Sequence, residues 1–161
     1  MVRQMIRSAT LVALATPFSA SAQSRPAFET RGAFFALSVA DLDASTRWYS
    51  EKLGLSVVMR PPKQDKSAVA VLEGGGLIVE LLQRDDATSL RQAAPLATAS
   101  YHVHGIFKAG VIVDDLNATL TALRARGVEI VMGPFPASKE QRANAIIRDN
   151  AGNLIQFFGA R

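Results

Sequence analysis

No cysteine occurs anywhere in the 161 residues, and that absence removes several classes of protein at once. No disulfide holds the fold together, no thiolate serves as a nucleophile, and no acylated cysteine tethers the chain to a membrane. Histidine is nearly as scarce, with only His102 and His104. No serine sits in a G-x-S-x-G elbow, and Gly74-Gly75-Gly76 lacks the Lys-Ser or Lys-Thr that a phosphate loop needs, so it reads as a hairpin turn. Basic residues are scattered and form no stripe with interleaved aromatics, which excludes a nucleic-acid partner. Long apolar runs are missing too. Ala9 to Phe18 falls well short of the roughly 20 residues that span a bilayer.

That short run reads instead as the apolar part of a secretory signal. Arg3 and Arg7 precede it, and Ala20-Ser21-Ala22 supplies the small residues that a signal peptidase reads. The expected segmentation is a signal peptide over 1–22, cleaved before Gln23, and an N-terminal extension over 23–32. The expected location is periplasmic or secreted, with no membrane attachment after cleavage. Formal charge falls from +4 to +2 when Arg3 and Arg7 leave.

What is present is an internal repeat. Phe34-Phe35-Ala36-Leu37-Ser38-Val39-Ala40-Asp41-Leu42 is echoed by Lys108-Ala109-Gly110-Val111-Ile112-Val113-Asp114-Asp115-Leu116. Asp41 and Asp115 lie 74 positions apart, but Gly54 and Gly127 lie 73 apart, so one residue is lost inside the helix. Each unit closes on a matching strand, Gly76 to Leu81 and Gly152 to Phe157. In each, alternation predicts a first strand, Asp41 or Asp115 caps a helix, and Gly54 or Gly127 stops it. Leu42, Tyr49 and Leu53 form one apolar stripe and Leu116, Leu120 and Leu123 the other. Three strand candidates follow each helix. The predicted fold is α+β: two βαβββ modules over 33–82 and 105–161 forming one domain, joined by a connector over 83–104 that is a candidate lid.

These residues resemble the vicinal oxygen chelate superfamily, which includes glyoxalase I, extradiol dioxygenases and the fosfomycin- and bleomycin-resistance proteins. The resemblance is carried by Val39-Ala40-Asp41-Leu42-Asp43, Trp48-Tyr49, Leu53-Gly54-Leu55, Arg126-Gly127-Val128 and the run from Arg148-Asp149-Asn150-Ala151-Gly152 to Phe157. It implies curved sheets forming a shared cleft, with modules paired within one chain or exchanged between two, and a homodimer as one arrangement. In metal-using members it implies four ligands, normally His and Glu with an occasional Gln. The matching positions here are Phe34, Glu80, Lys108 and Gln156. Phe34 has no lone pair to give, Lys108 puts a cation where the metal would sit, and Gln156 offers a neutral carbonyl. No metal and no other cofactor is therefore expected. His102 and His104 are the available replacement ligands, and a solvated or hydrogen-bonded loop pair is the plainer account of them.

Glu80 is the candidate catalytic group, as a general base. The competing account is an ion pair with Lys108, and a third makes Lys108 a fixed cation for an anionic ligand. Phe34 and Phe158, beside small residues, leave room for an apolar or aromatic molecule, or fill the space themselves. Trp48 and Tyr49 are read as helix residues, with Tyr49 in the core. The expected function is that of an exported, metal-independent small-molecule-binding protein, nearest in mode to the bleomycin-resistance branch. The alternatives are an isomerase or lyase of glyoxalase type using Glu80, and a structural role with a self-filled groove.

Overall fold

The computed structural model describes residues 34–99 and 102–160. The expected signal peptide over 1–22 and the expected N-terminal extension over 23–32 lie outside the described residues. The first module runs β1 (Phe34–Ser38), α1 (Leu42–Trp48), a π-helical turn over Tyr49–Leu53, β2 (Ser56–Met59), β3 (Ser67–Gly74) and β4 (Leu77–Arg84). A four-residue helix, α2 (Leu90–Ala93), lies in the connector. The second module is β5 (Lys108–Val113), α3 (Leu116–Ala125), β6 (Ile130–Phe135), β7 (Asn144–Arg148) and β8 (Leu154–Gly159).

The modules build separate sheets of the same design, β1-β4-β3-β2 and β5-β8-β7-β6. β1 runs parallel to β4 and β5 parallel to β8, while the other neighbours are antiparallel. The two-residue turn between β3 and β4 holds Gly75 and Gly76 at φ 58° and 80°, the left-handed pair that suits the twist of a tight hairpin. β6 continues past the Gly133-Pro134 pair as far as Phe135, although shifts of register interrupt its pairing with β7.

Both repeat helices begin alike. The Asp41 carboxylate accepts from Ala44 N–H and the Asp115 carboxylate from Ala118 N–H, each at 2.9 Å, satisfying a first-turn donor that has no partner inside the helix. They end differently. The first needs one more residue than the second to reach its glycine, and the π-helical turn absorbs it, because a wider turn takes an extra residue without changing where the helix stops. Gly54 and Gly127 then leave at φ 75° and 70°.

One apolar core joins the two modules. Leu42, Tyr49, Leu72, Val79 and Leu81 belong to it from the first, and Leu116, Leu120, Leu123, Ile147, Ile155 and Phe157 from the second. Truncating a side chain as enclosed as Leu120 to alanine costs about 2–5 kcal/mol. Polar contacts reinforce the join. Tyr49 Oη donates to Asp149 Oδ2 at 2.9 Å. Asn150 Nδ2 donates to Ser45 Oγ at 3.2 Å. The helix ends also exchange caps: Lys52 Nζ donates to the Arg126 carbonyl at 2.6 Å, and an Arg126 guanidinium N–H donates to the Lys52 carbonyl at 3.3 Å. A cation at a helix C-terminus suits the partial negative charge there. Among the described residues no helix is long and apolar enough to cross a membrane.

Candidate functional site

Strand alternation gives each sheet one face toward the core and one away from it. In the first sheet Phe35, Leu37, Val79 and Leu81 point to the core. Phe34, Ala36 and Ser38 take the outer face with Ile78 and Glu80, since β1 and β4 pair Phe34 with Ile78 and Ala36 with Glu80. In the second sheet Lys108, Gly110 and Ile112 pair with Leu154, Gln156 and Phe158. The candidate residues therefore fall into two groups: Phe34 and Glu80 share one outer face, and Lys108, Gln156 and Phe158 share the other. Arg148 pairs with Leu154 and so joins the second group at its exposed edge.

These faces are open and partly apolar, with Phe34 63% and Ile112 65% exposed. Glu80 and Lys108 form no ion pair with each other; among the described residues the ion pairs are Arg60–Asp43, Lys63–Asp85, Lys66–Asp86 and Arg84–Asp86. The expectation of a mutually neutralising pair is corrected on this point. Each strand's place within its sheet follows from the repeat, but nothing in the pairing brings one outer face within reach of the other. Lys108 Nζ instead lies 5.0 Å from the centre of the Phe107 ring, a cation–π distance.

Gln156 is the best-held polar group on these faces. It is 7% exposed, and its Nε2 donates at 2.9 Å to Oδ1 of Asn144, itself 6% exposed. Asn144 Nδ2 donates in turn to the Arg142 carbonyl at 3.0 Å. A backbone carbonyl only accepts, so it fixes which end of the Asn144 amide faces it. The Asn144 oxygen must then face Gln156, and the Gln156 amide is fixed in sequence. Asn144 has no counterpart in the sequence reading, because a single asparagine opening a strand carries no pattern of its own.

His102 and His104 sit in irregular chain before β5, not on a strand. His102 Nδ1 is 3.0 Å from Thr98 Oγ1, and His104 is exposed. The connector also forms a hollow of about 420 Å³ lined by Ala94, Pro95, Leu96, Ala97, His102 and Val103. Another, of about 370 Å³, is lined by Gln64 to Ser67 and Arg84. Neither hollow includes any of the strand candidates.

Tyr49 is a core residue, as its place on the helical stripe implies, but it also does something that stripe does not disclose. Burial first, then the neighbouring Asp149 charge and the hydrogen bond to it, push the phenol far above its ordinary value of 10.0. Asp149 also accepts from Ala151 N–H, Asn153 N–H and Asn153 Nδ2, all within 2.8–2.9 Å. The β7–β8 turn is thus tied to the end of the first helix. This is a structural lock, remote from both outer faces.

Residues 33–157 match the profile of the Glyoxalase/Bleomycin resistance protein/Dioxygenase superfamily. The chain belongs to that superfamily. An uncharacterized protein of Mycolicibacterium smegmatis is 30% identical over 122 residues, covering 76% of this chain and 87% of that protein. Among solved structures, a glyoxylase/bleomycin resistance protein/dioxygenase domain from Frankia sp. EAN1pec superposes with a TM-score of 0.64 at 21% identity, covering 83% of this chain and 94% of that one. TnmS3, an antibiotic binding protein from Streptomyces sp. CB03234, superposes with a TM-score of 0.57 at 19% identity over 83% and 98% of the two chains. At these identities the structural matches establish the shared fold.

The metal that some superfamily members use does not fit this donor set. Glu80 is the one anionic donor among the four positions, and Gln156 adds only a neutral carbonyl oxygen, its NH2 group being bound to Asn144. Phe34 and Lys108 offer no lone pair. Among the described residues no three His, Cys, Asp or Glu side chains gather as a metal site would require.

Proposed function

We propose that this chain is an exported member of the superfamily that binds a small, largely apolar molecule on the outer faces of its sheets without a metal. The observation that carries the reading is the substitution pattern. At the four superfamily positions stand one carboxylate, one cation, one ring and one oriented amide, on faces that remain open and apolar. Such a lining favours a ligand held by contact area and a few directed polar groups. The antibiotic binding protein of the same fold is a precedent for that mode of action.

Native mass spectrometry of protein exported from a bacterial host tests the proposal. The expected result is a chain beginning at Gln23, no stoichiometric metal by elemental analysis, and a dissociable small-molecule adduct, either retained or taken up from a library of apolar compounds. One firmly held metal ion per chain would refute the metal-independent reading. Material that still begins at Met1 would refute export.

A second reading rests on Glu80. It is half-buried and, among the described residues, makes no ion pair or side-chain hydrogen bond, so its carboxylate is available as a base. Proton exchange at a carbon acid, abolished in Glu80→Gln with binding intact, would establish that role.

A further inference from the structure

Gly110 lies in the middle of β5, where glycine weakens a strand and is not called for by geometry. Its φ is outside the left-handed range, and among the described residues a Cβ built there would meet only the Gln156 backbone oxygen, at an ordinary 3.8 Å. Neither the backbone conformation nor packing among the described residues accounts for the missing side chain. A glycine so placed suits the close approach of something from outside the strand.

Beside that gap is an unused acceptor. Gly110 is the register partner of Gln156. The relay from the Arg142 carbonyl through Asn144 occupies the Gln156 NH2 group and turns Oε1 away from it. Oε1 accepts no hydrogen bond from the described residues, yet it is not among the sealed polar atoms, so it keeps a window to solvent. A side chain 93% removed from solvent, held by a fixed relay, thus keeps one bare carbonyl oxygen at the strand position that registers with Gly110. Ile112 and Phe158, the next register pair, supply an apolar wall on the same face.

We propose that the Gly110 gap is the ligand seat of this protein, and that it takes a flat aromatic molecule with an N–H or O–H donor on its edge. The ring lies over Gly110 against Ile112 and Phe158, and the donor meets Gln156 Oε1. Asn144 is a positioning residue: it touches no ligand and keeps the acceptor end of the amide outward. This inference rests on the small-molecule-binding reading above and adds the place and chemistry of the site.

Indole and N-methylindole are the probes, since they share a ring system and differ in the donor. Titration into the full-length mature protein, followed by amide proton–nitrogen correlation NMR, is expected to shift the Gly110 amide and the Gln156 side-chain NH2 signals. Indole should bind about tenfold more tightly than N-methylindole, the size of one hydrogen bond. Gln156→Leu should erase that ratio, and Asn144→Leu should reduce it while leaving N-methylindole affinity unchanged. Gly110→Val should abolish both interactions with the spectrum otherwise folded. Where valine disturbs the strand, Gly110→Ala must still weaken indole. Equal affinities for the two probes, an unaffected Gly110→Ala variant, or shifts confined to another surface would overturn the seat, and the last would leave small-molecule binding standing. Absence of any shift overturns the seat as well, whereas absence of an adduct in native mass spectrometry bears on the broader reading.

Discussion

Tyr49 shows how one side chain can serve two masters. Its ring fills the core and packs edge-on against Trp48, with centroids 5.0 Å apart, while its hydroxyl supplies Asp149 with one of four donors. Tyr49→Phe keeps the ring and removes that donor, so a loss of about 1–3 kcal/mol is expected in denaturant melts at neutral pH. The raised phenol gives the loss a pH signature. A group whose folded-state value lies above its unfolded one contributes fully below the unfolded value, here 10.0, and its contribution drains away as pH climbs from there toward the folded value. The gap in stability between wild type and Tyr49→Phe should therefore be constant up to about pH 10 and narrow above it. A gap that widened in alkali would show that Tyr49 is not held neutral by the fold.

At the scale of elements, the one-residue mismatch between the repeats becomes the π-helical turn at Tyr49–Leu53. That turn is the natural place for a deletion. Removing exposed Glu51 brings the first helix to the length of the second, whereas removing exposed Arg124 from α3 takes a residue from a helix with none to spare. Thermal melts of the two deletions should show the Glu51 deletion to be the milder, and equal losses would mean that the wide turn is not a spare residue. Much at this scale is legible in the sequence, because helix caps and stops are local. Asp41, Asp115, Gly54 and Gly127 each act within a turn of where they stand. The connector helix α2 is missed for its brevity, although Ser89 and Gln92 form a capping box whose spacing is a recognised start signal. Asn144 is not legible, since its role depends on the Arg142 carbonyl and on a residue of the neighbouring strand.

For the whole molecule, the repeat specifies the two sheets but not the distance between their outer faces. Glu80 and Lys108 can be assigned to those faces from sequence, yet the inference that they meet does not follow, and the structure shows no ion pair between them. Glu80→Gln and Lys108→Ala should thus have effects on stability that add to within about 0.5 kcal/mol in a double-mutant cycle. A larger coupling would mean that the faces are brought together in solution.

The exchanged caps at the helix ends put the two repeat helices in an approximately two-fold relation. Lys52 and Arg126 close the two repeat helices, standing two residues before Gly54 and one residue before Gly127. Each reaches the carbonyl of the other, as two identical subunits would across a two-fold axis. The reciprocity is inexact: the wide turn of the first helix sets its cation one residue further from the stop, and the two bonds differ in length, 2.6 Å and 3.3 Å. Within one chain the two halves need not be identical. One carries the extra helical residue and the Glu80 carboxylate, while the other carries the amide relay and the bare strip at Gly110. A two-fold frame thus carries two chemically unequal faces.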